Sequence, residues 1–97
     1  MGYKMNRRDT AEEIFVEIWI GMGLGWIPVN KEVGLDGILV SPTGNHFVEI
    51  KSGKKKKLTP LEKKAKAKIE SWGGQYNIVA DDEAAVRFGN WARGLPK

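Results

Sequence analysis

The chain has 97 residues, which is enough for one small domain and too short for two separate hydrophobic cores. Sixteen Lys and Arg residues against twelve Asp and Glu residues give a formal net charge of +4, and 41% of the residues are apolar, which argues against a disordered chain. The absence of cysteine excludes disulfide frameworks, thiolate metal sites and cysteine nucleophiles, and a single histidine excludes multi-histidine zinc sites.

The N-terminal third of the sequence predicts an arm, a helix and a strand. Residues 1–8 are polar and basic and should form a loose arm, after which Asp9 or Thr10 can cap a helix. A first strand over residues 26–32 should follow, and Pro28 predicts that this strand lies at a sheet edge or contains a bulge. In the helix, apolar side chains at helical spacing predict one buried stripe, formed by Ile14, Phe15, Ile18, Trp19 and Met22.

The centre of the sequence predicts a hairpin and a second helix. Residues 37–40 form a short apolar run, residues 41–45 have turn composition and residues 46–51 alternate, so the two runs should pair as strands. The second helix should begin where Thr59 caps it, with Pro60 at its first position and Glu62 at its third. One face of this helix should be apolar, formed by Leu61, Ala65, Ile69 and Trp72.

The last quarter predicts a strand over residues 76–79 and a short helix that Asp81 caps and that continues to Phe88. Residues 89–97 are left as a tail, in which Trp91 could cover a partner subunit. Helix, three strands, helix, strand and helix are typical of an α/β domain with a mixed sheet flanked by helices, and we interpret residues 1–97 as one domain. If the third and fourth strands are parallel, the helical crossover between them should be right-handed.

Three charged residues should converge at the hairpin. Asp36 begins one strand, whereas Glu49 and Lys51 lie two positions apart on its partner and project from the same face. Two carboxylates there could hold Mg²⁺ or Mn²⁺, and the carbonyl of Ile50 could add another oxygen. Such a site suits phosphodiester hydrolysis, because an ammonium group can offset charge in the transition state. The alternative is a turn residue at Asp36 and a surface ion pair between Glu49 and Lys51.

These residues, Gly34-Leu35-Asp36 and Glu49-Ile50-Lys51, together with Leu58-Thr59-Pro60 at the start of a helix, resemble the VRR-NUC branch of the PD-(D/E)xK nucleases over residues 10–88. The resemblance implies a restriction-endonuclease-like αβββαβ core with a central mixed sheet. It also implies a DNA endonuclease that requires Mg²⁺ or Mn²⁺, with Asp36 and Glu49 as metal ligands and Lys51 as the catalytic lysine. Free-standing members are small, often phage-encoded homodimers that resemble Holliday junction resolvases, so the expected substrate is branched or otherwise structured DNA.

Two positions depart from the pattern of the family. Leu35 stands where the family has proline, and Glu62 stands where it has glutamine early in the second helix. Glu62 can act as a helix cap or lie at the site, and we expect the cap. The family also places a glutamate of the first helix at the metal site. Glu12 is the best candidate because it borders the apolar stripe, whereas Glu13 points away from the stripe and Glu17 flanks its opposite side. The alternative is that Glu12 is a surface acid at the positive end of the helix.

Residues 51–68 carry nine lysines and one acid, which predicts binding to phosphate backbones without regard to base sequence. A noncatalytic basic nucleic-acid-binding module and a small interaction protein with solubilising lysines remain alternatives. The sequence contains no predicted membrane span or signal peptide, so we expect an intracellular protein, in the host cytoplasm if it is phage-encoded. The expected DNA-binding residues are Lys54, Lys55, Lys56, Lys57, Lys63 and Lys64.

Overall fold

The computed structural model describes residues 10–51 and 57–94 of the chain. The predicted arm, Asp9 and the lysines at 54–56 lie outside these residues. The predicted α/β class and the order of helices and strands are confirmed, and none of the described helices has the length and apolarity needed to cross a membrane. The described elements are α1 (Thr10–Gly21), β1 (Gly25–Pro28), a 3-10 helix (Lys31–Val33), β2 (Gly37–Ser41), β3 (Gly44–Ile50), α2 (Pro60–Ser71), β4 (Tyr76–Val79) and α3 (Asp82–Ala92).

The four strands form one mixed sheet in the order β1-β2-β3-β4. β1, β2 and β3 pair antiparallel, and β4 lies parallel to β3, with α2 in the connection between them. Pro42 and Thr43 form the hairpin turn between β2 and β3, where the hydroxyl of Ser41 donates a hydrogen bond to the carbonyl of Gly44 at 2.9 Å. β1 is an edge strand, as Pro28 predicts, because proline lacks the N–H group that an inner strand needs.

One face of the sheet is covered by α1 and α3. Pairing places Trp26, Leu39 and His46 in one row on this face, because residues directly opposite in neighbouring strands point the same way. Trp19 of α1 is fully buried, and its indole N–H donates a hydrogen bond of 2.9 Å to the carbonyl of Ala85 in α3. The buried core therefore lies between this face and the two helices; it contains Phe15, Trp19, Leu24, Leu39, Val48, Ile50, Val79, Ala85 and Ala92.

The first strand is shorter than the sequence predicts. β1 ends at Pro28, and residues 31–33 form a 3-10 helix instead of continuing the strand. The side chain of Asn30 accepts a hydrogen bond of 2.8 Å from the N–H of Glu32 and caps this helix. A local bond between side chain and backbone thus replaces the sheet ladder, as short polar side chains commonly do.

The C-terminal helix is longer than predicted. α3 continues through residues 89–92, so these residues are helical and do not belong to a tail. The hydroxyl of Thr43 donates a hydrogen bond of 2.6 Å to the carbonyl of Ala92, and Trp91 packs against His46 with ring centroids 4.8 Å apart. These contacts hold the last turn of α3 against the β2–β3 hairpin.

The apolar stripe of α2 is also less buried than its spacing suggests. No residue of α2 is buried, and Trp72, directly after its last residue, is 87% exposed. In α1, Phe15 and Trp19 are buried as predicted, but Ile14 is 42% exposed. Helical spacing identifies a possible buried face, but the neighbouring elements decide how much of it is covered.

Candidate metal centre

Asp36 and Glu49 lie at the ends of neighbouring strands. The N–H of Asp36 donates to the carbonyl of Val48 at 3.0 Å, which extends the pairing of β2 and β3 by one residue. One carboxylate oxygen of Asp36, Oδ2, accepts a hydrogen bond of 2.8 Å from the N–H of Ile50. Asp36 is 5% exposed and Glu49 is 4% exposed. The sheet therefore fixes two acidic side chains in positions where water reaches them little.

These two acids line a cavity of about 170 Å³. The structure thus brings together four of the residues expected at the site: Asp36, Glu49, Ile50 and Lys51. The remaining lining residues come from the 3-10 helix, the segment after it and the first turn of α2; they are Lys31, Leu35 and Glu62.

Glu62 has both of the roles that the sequence left open. Its Oε1 accepts a hydrogen bond of 2.9 Å from the N–H of Thr59, and the Thr59 hydroxyl accepts one of 3.2 Å from the N–H of Glu62. The predicted capping box is therefore confirmed. The same carboxylate lies 2.8 Å from the Nζ atom of Lys51, whereas the Lys51 Nζ is 3.7 Å from Oε2 of Glu49. Glu62 thus holds the lysine ammonium group beside the two acids.

Lys31 is a residue of the site that the sequence did not predict. Its Nζ atom lies 2.9 Å from Oδ1 of Asp36 and 3.8 Å from Oε1 of Glu12, and its side chain is 63% exposed. Glu12 is 3% exposed, whereas Glu13 and Glu17 are exposed, so Glu12 is the acid of α1 that faces inward. Lys31 therefore links Glu12 to Asp36.

Gly34 allows the 3-10 helix to lie close to α2. Its φ of +98° is in the left-handed region, and a Cβ atom there would lie 2.8 Å from the Cβ of Ala65 and from the carbonyl oxygen of Leu61. The hydroxyl of Tyr76 donates a hydrogen bond of 2.7 Å to the Gly34 carbonyl. Glycine at this position thus lets the segment that carries Lys31 and Asp36 approach α2 and β4.

The environment favours a proton on Glu49. Burial raises the pKa of this carboxyl from 4.5 to about 8, and the charge of Asp36 and a hydrogen bond with Glu62 add to the increase, while Lys51 opposes it. Glu49 therefore carries a proton over much of the range below pH 8 when no cation is bound.

Lys51 and Glu62, which line the same cavity, have pKa shifts that favour their charged forms, unlike Glu49. Burial disfavours the ammonium form of Lys51, but the hydrogen bond and charge of Glu62, with the charges of Glu49 and Asp36, raise its pKa overall. Burial likewise disfavours the carboxylate of Glu62, but hydrogen bonds from Lys51 and from the backbone of Thr59 lower its pKa overall. Lys51 and Glu62 are therefore both charged at neutral pH.

The raised pKa of Glu49 predicts a pH dependence of folding stability in a buffer without divalent metal. The folded chain retains a proton that the unfolded chain releases near pH 4.5, so the contribution of Glu49 to the free energy of unfolding should fall as pH rises from about 4.5 to about 8 and then level off. Urea unfolding of wild type and Glu49→Gln measures this. The variant should gain stability relative to wild type across that pH interval, and a constant difference would contradict the assignment.

The donor atoms at this site fit a hard divalent cation. Within residues 10–51 and 57–94, no three Asp, Glu, His or Cys side chains converge as a metal-binding group. Mg²⁺, however, commonly uses one or two carboxylates and completes its coordination with water and other oxygens. Asp36 and Glu49 supply two carboxylates, and repulsion from the charge of Asp36 helps to raise the pKa of Glu49. A divalent cation between them would relieve this repulsion, and an oxygen donor set favours Mg²⁺ or Mn²⁺.

The expected DNA-binding lysines are only partly described. Lys57, Lys63 and Lys64 are exposed, and the latter two border a surface depression beside Pro60 and Leu61. Lys54, Lys55 and Lys56 belong to the part of the chain outside the description. The described cations lie on α2 and directly before it, near the helix turn that contributes Glu62 to the cavity.

Comparison of the chain with protein-family models, curated proteins and solved structures finds no match.

Proposed function

We propose that this protein is a Mg²⁺- or Mn²⁺-dependent DNA endonuclease of the PD-(D/E)xK type that acts inside the cell as a homodimer on branched or otherwise structured DNA. The observation that carries the proposal is the convergence of Asp36, Glu49 and Lys51 on one small polar cavity. Four further features support it: the mixed sheet, the order of elements with α1 before β1 and α2 after β3, the basic segment and the motif spacing. A restriction-endonuclease-like αβββαβ core is part of the proposal.

Asp36 and Glu49 would hold the cation, with the carbonyl of Ile50 as a further oxygen ligand. A bound divalent cation supplies polarisation of a phosphoryl oxygen and a water of lowered pKa. Glu49 must lose its proton to act as a ligand, so cation affinity should increase with pH up to about 8. The N–H of Ile50 donates a hydrogen bond to Oδ2 of Asp36, so the backbone of β3 helps to fix the orientation of this carboxylate.

Lys51 acts as a cation in this proposal, because its raised pKa keeps it protonated at neutral pH and prevents it from serving as a general base. Its ammonium group would donate hydrogen bonds to phosphoryl oxygens and stabilise the charge that develops there in the transition state. Glu62, 2.8 Å away, orients the group. Glu12 lies beside Lys31 and would support the Asp36 side of the site.

The lysines before and on α2 would bind the DNA backbone. Phosphate contacts by Lys57, Lys63 and Lys64, with Lys54, Lys55 and Lys56, would position the substrate by charge and shape. Paired incisions across a four-way junction require two active sites, which is why the proposal includes a homodimer.

Cleavage of labelled DNA tests this function. A four-way junction, a linear duplex, a flap and a single strand are incubated with wild-type protein and Mg²⁺, Mn²⁺ or a chelator, and an identically purified Lys51→Met protein controls for contaminating nuclease. Paired nicks in the junction that require metal and Lys51 would support a dimeric junction nuclease. Cleavage confined to flaps or single strands would retain the nuclease and reject the junction as substrate.

A noncatalytic basic DNA-binding module is the second candidate, and the ion pairs of the site favour it. Lys31 lies 2.9 Å from Asp36 and Lys51 lies 2.8 Å from Glu62, so the buried charges have partners without any metal. This candidate predicts salt-sensitive DNA binding with no cleavage under any metal condition. That result in the cleavage assay would replace the nuclease proposal.

Lys31 should compete with a cation for Asp36. Its ammonium group lies 2.9 Å from Oδ1 of Asp36 on an exposed side chain, and such a pair contributes roughly 0.5 to 1 kcal/mol. We therefore expect Lys31→Met to bind Mn²⁺ about two- to fivefold more tightly than wild type, measured by isothermal titration calorimetry. Lys66→Met is the matched control, because Lys66 lies 2.9 Å from Glu70 on the surface of α2. Equal affinity in Lys31→Met and Lys66→Met would refute the competition.

A further inference from the structure

Trp72 is an exposed aromatic side chain at the end of α2. Its N–H donates a hydrogen bond of 3.2 Å to the carbonyl of Ile69, so the last helical turn continues to this residue. Trp72 is 87% exposed, more than any other large apolar residue of the described chain, and its ring packs on no aromatic ring within residues 10–51 and 57–94. An indole stabilises a fold mainly through the area that it buries, so the fold gains little from tryptophan at this position.

Two lysines continue from Trp72 along one face of α2. Lys64, Lys68 and Trp72 follow one another at intervals of four positions, and residues at this interval are neighbours on a helix surface. All three are exposed, and we call them the lysine-tryptophan row. Among the described residues no acid forms an ion pair with Lys64 or Lys68, whereas Lys66 lies 2.9 Å from Glu70. The row therefore carries positive charge that no neighbouring acid neutralises.

Positive charge beside an exposed aromatic ring fits an unpaired nucleic-acid strand. Lysines neutralise its phosphates, and an aromatic ring stacks on a base of any sequence. A continuous duplex offers phosphates but keeps its base faces within the stack, so it would leave Trp72 unused. A lipid surface instead requires a broad apolar face, and the exposed large apolar side chains of α2 and its cap, Leu61 and Trp72, lie at opposite ends of the helix.

We propose that the lysine-tryptophan row binds a single-stranded segment of DNA, with Lys64 and Lys68 on phosphates and the indole of Trp72 stacked on an unpaired base. The first turn of α2 contributes Glu62 to the cavity, and Trp72 lies about 15 Å farther along the helix axis. DNA with unpaired nucleotides close to the cleaved bond is therefore the preferred substrate, and a continuous duplex is not. The inference rests on the proposed function for the choice of DNA as the partner, but the binding requires neither metal nor cleavage.

Fluorescence anisotropy with a short labelled oligothymidylate in chelator tests the stacking. Trp72→Leu should bind about 5- to 150-fold more weakly than wild type, because leucine is apolar but has no aromatic face. Trp72→Phe should retain most of the affinity. Because Trp72 is exposed, both variants should fold, and circular dichroism checks this. Absence of binding by wild type, or equal affinities of wild type and Trp72→Leu, would overturn the proposal.

The salt dependence of the same binding tests the phosphate contacts. Lys68→Met should reduce the slope of log K against log salt by about 0.7, the value for one phosphate of a single strand, whereas Trp72→Leu should leave the slope unchanged. Lys66→Met is the matched control, because Glu70 already pairs with this lysine, and its slope should equal that of wild type. Equal slopes in Lys68→Met and Lys66→Met would overturn the assignment, as would tighter binding to phosphatidylserine vesicles than to oligothymidylate.

The binding measurements and the cleavage assay fail separately. A chain that binds oligothymidylate with these dependences on Trp72 and Lys68, but cleaves no DNA with any metal, would refute the nuclease and retain the lysine-tryptophan row. A chain that cleaves DNA but binds oligothymidylate equally well as Trp72→Leu would retain the nuclease and refute the stacking.

Discussion

Replacing Lys51 by methionine should slow DNA cleavage by about 10² to 10³-fold, which is the usual cost of removing one preorganised group that stabilises transition-state charge. Methionine has a similar length and no charge. The ammonium group that it removes lies in the cavity, 2.8 Å from Glu62 and 3.7 Å from Glu49. Because Lys51 is not a proposed metal ligand, Mn²⁺ binding should persist. Single-turnover cleavage and calorimetry with Mn²⁺ measure the two effects separately.

Asp36→Ala distinguishes the loss of a ligand from the loss of a cation. It should lose both Mn²⁺ binding and cleavage, because it removes a carboxylate that the N–H of Ile50 holds in the cavity. Lys66→Met is the control for Lys51→Met, because it makes the same chemical change on the surface of α2, and this variant should retain full cleavage. Cleavage by Lys51→Met at the wild-type rate would exclude the catalytic role of Lys51.

Replacing Trp19 by alanine should lower the free energy of unfolding by about 3 to 5 kcal/mol. Trp19 is fully buried, contacts Trp26 with ring centroids 5.4 Å apart and Phe88 at 6.0 Å, and bonds to the backbone of Ala85. The substitution would leave a cavity where α1, α3 and the sheet meet. Because native proteins have total stabilities of roughly 5 to 15 kcal/mol, this loss is a large fraction of the free energy of unfolding.

Trp72→Ala is the control for this effect, because it makes the same chemical change at a residue that is 87% exposed. Its stability should stay within about 0.5 kcal/mol of wild type. Urea unfolding followed by circular dichroism gives both values and does not depend on tryptophan fluorescence. Similar losses in the two variants would show that α1 and α3 do not pack on the sheet as described.

The clearest predictions from the sequence are those that rest on local chemistry. Thr59 and Glu62 form the expected capping box, and Asp81 caps α3 by accepting a hydrogen bond from the N–H of Ala84. Both depend on hydrogen bonds between a side chain and the backbone three residues away, so the residue types at that spacing predict them. The convergence of Asp36, Glu49 and Lys51 was also predictable, because the hairpin brings its two strands side by side.

The parts that the sequence did not predict depend on contacts between distant residues or on competition between local structures. Val33 has a strand-forming side chain, yet the cap at Asn30 turns this segment into a 3-10 helix. That helix places Lys31 beside Asp36, so an incorrect strand prediction also concealed a residue of the site. Phe88 did not end α3, because the Thr43 contact with Ala92 and the packing of Trp91 on His46 extend it.

The buried acids at the cavity have a consequence for how this protein would change under selection. Burial and the charge of Asp36 disfavour the ionised form of Glu49, so a library of variants screened only for folded, abundant protein should accumulate neutral residues at position 49. Gly34 should stay invariant in the same screen, because any side chain there strikes α2. The screen would then show that the fold requires glycine at position 34 and does not require an acid at position 49. Sequencing the library before and after the screen measures how often each of these two residues is retained.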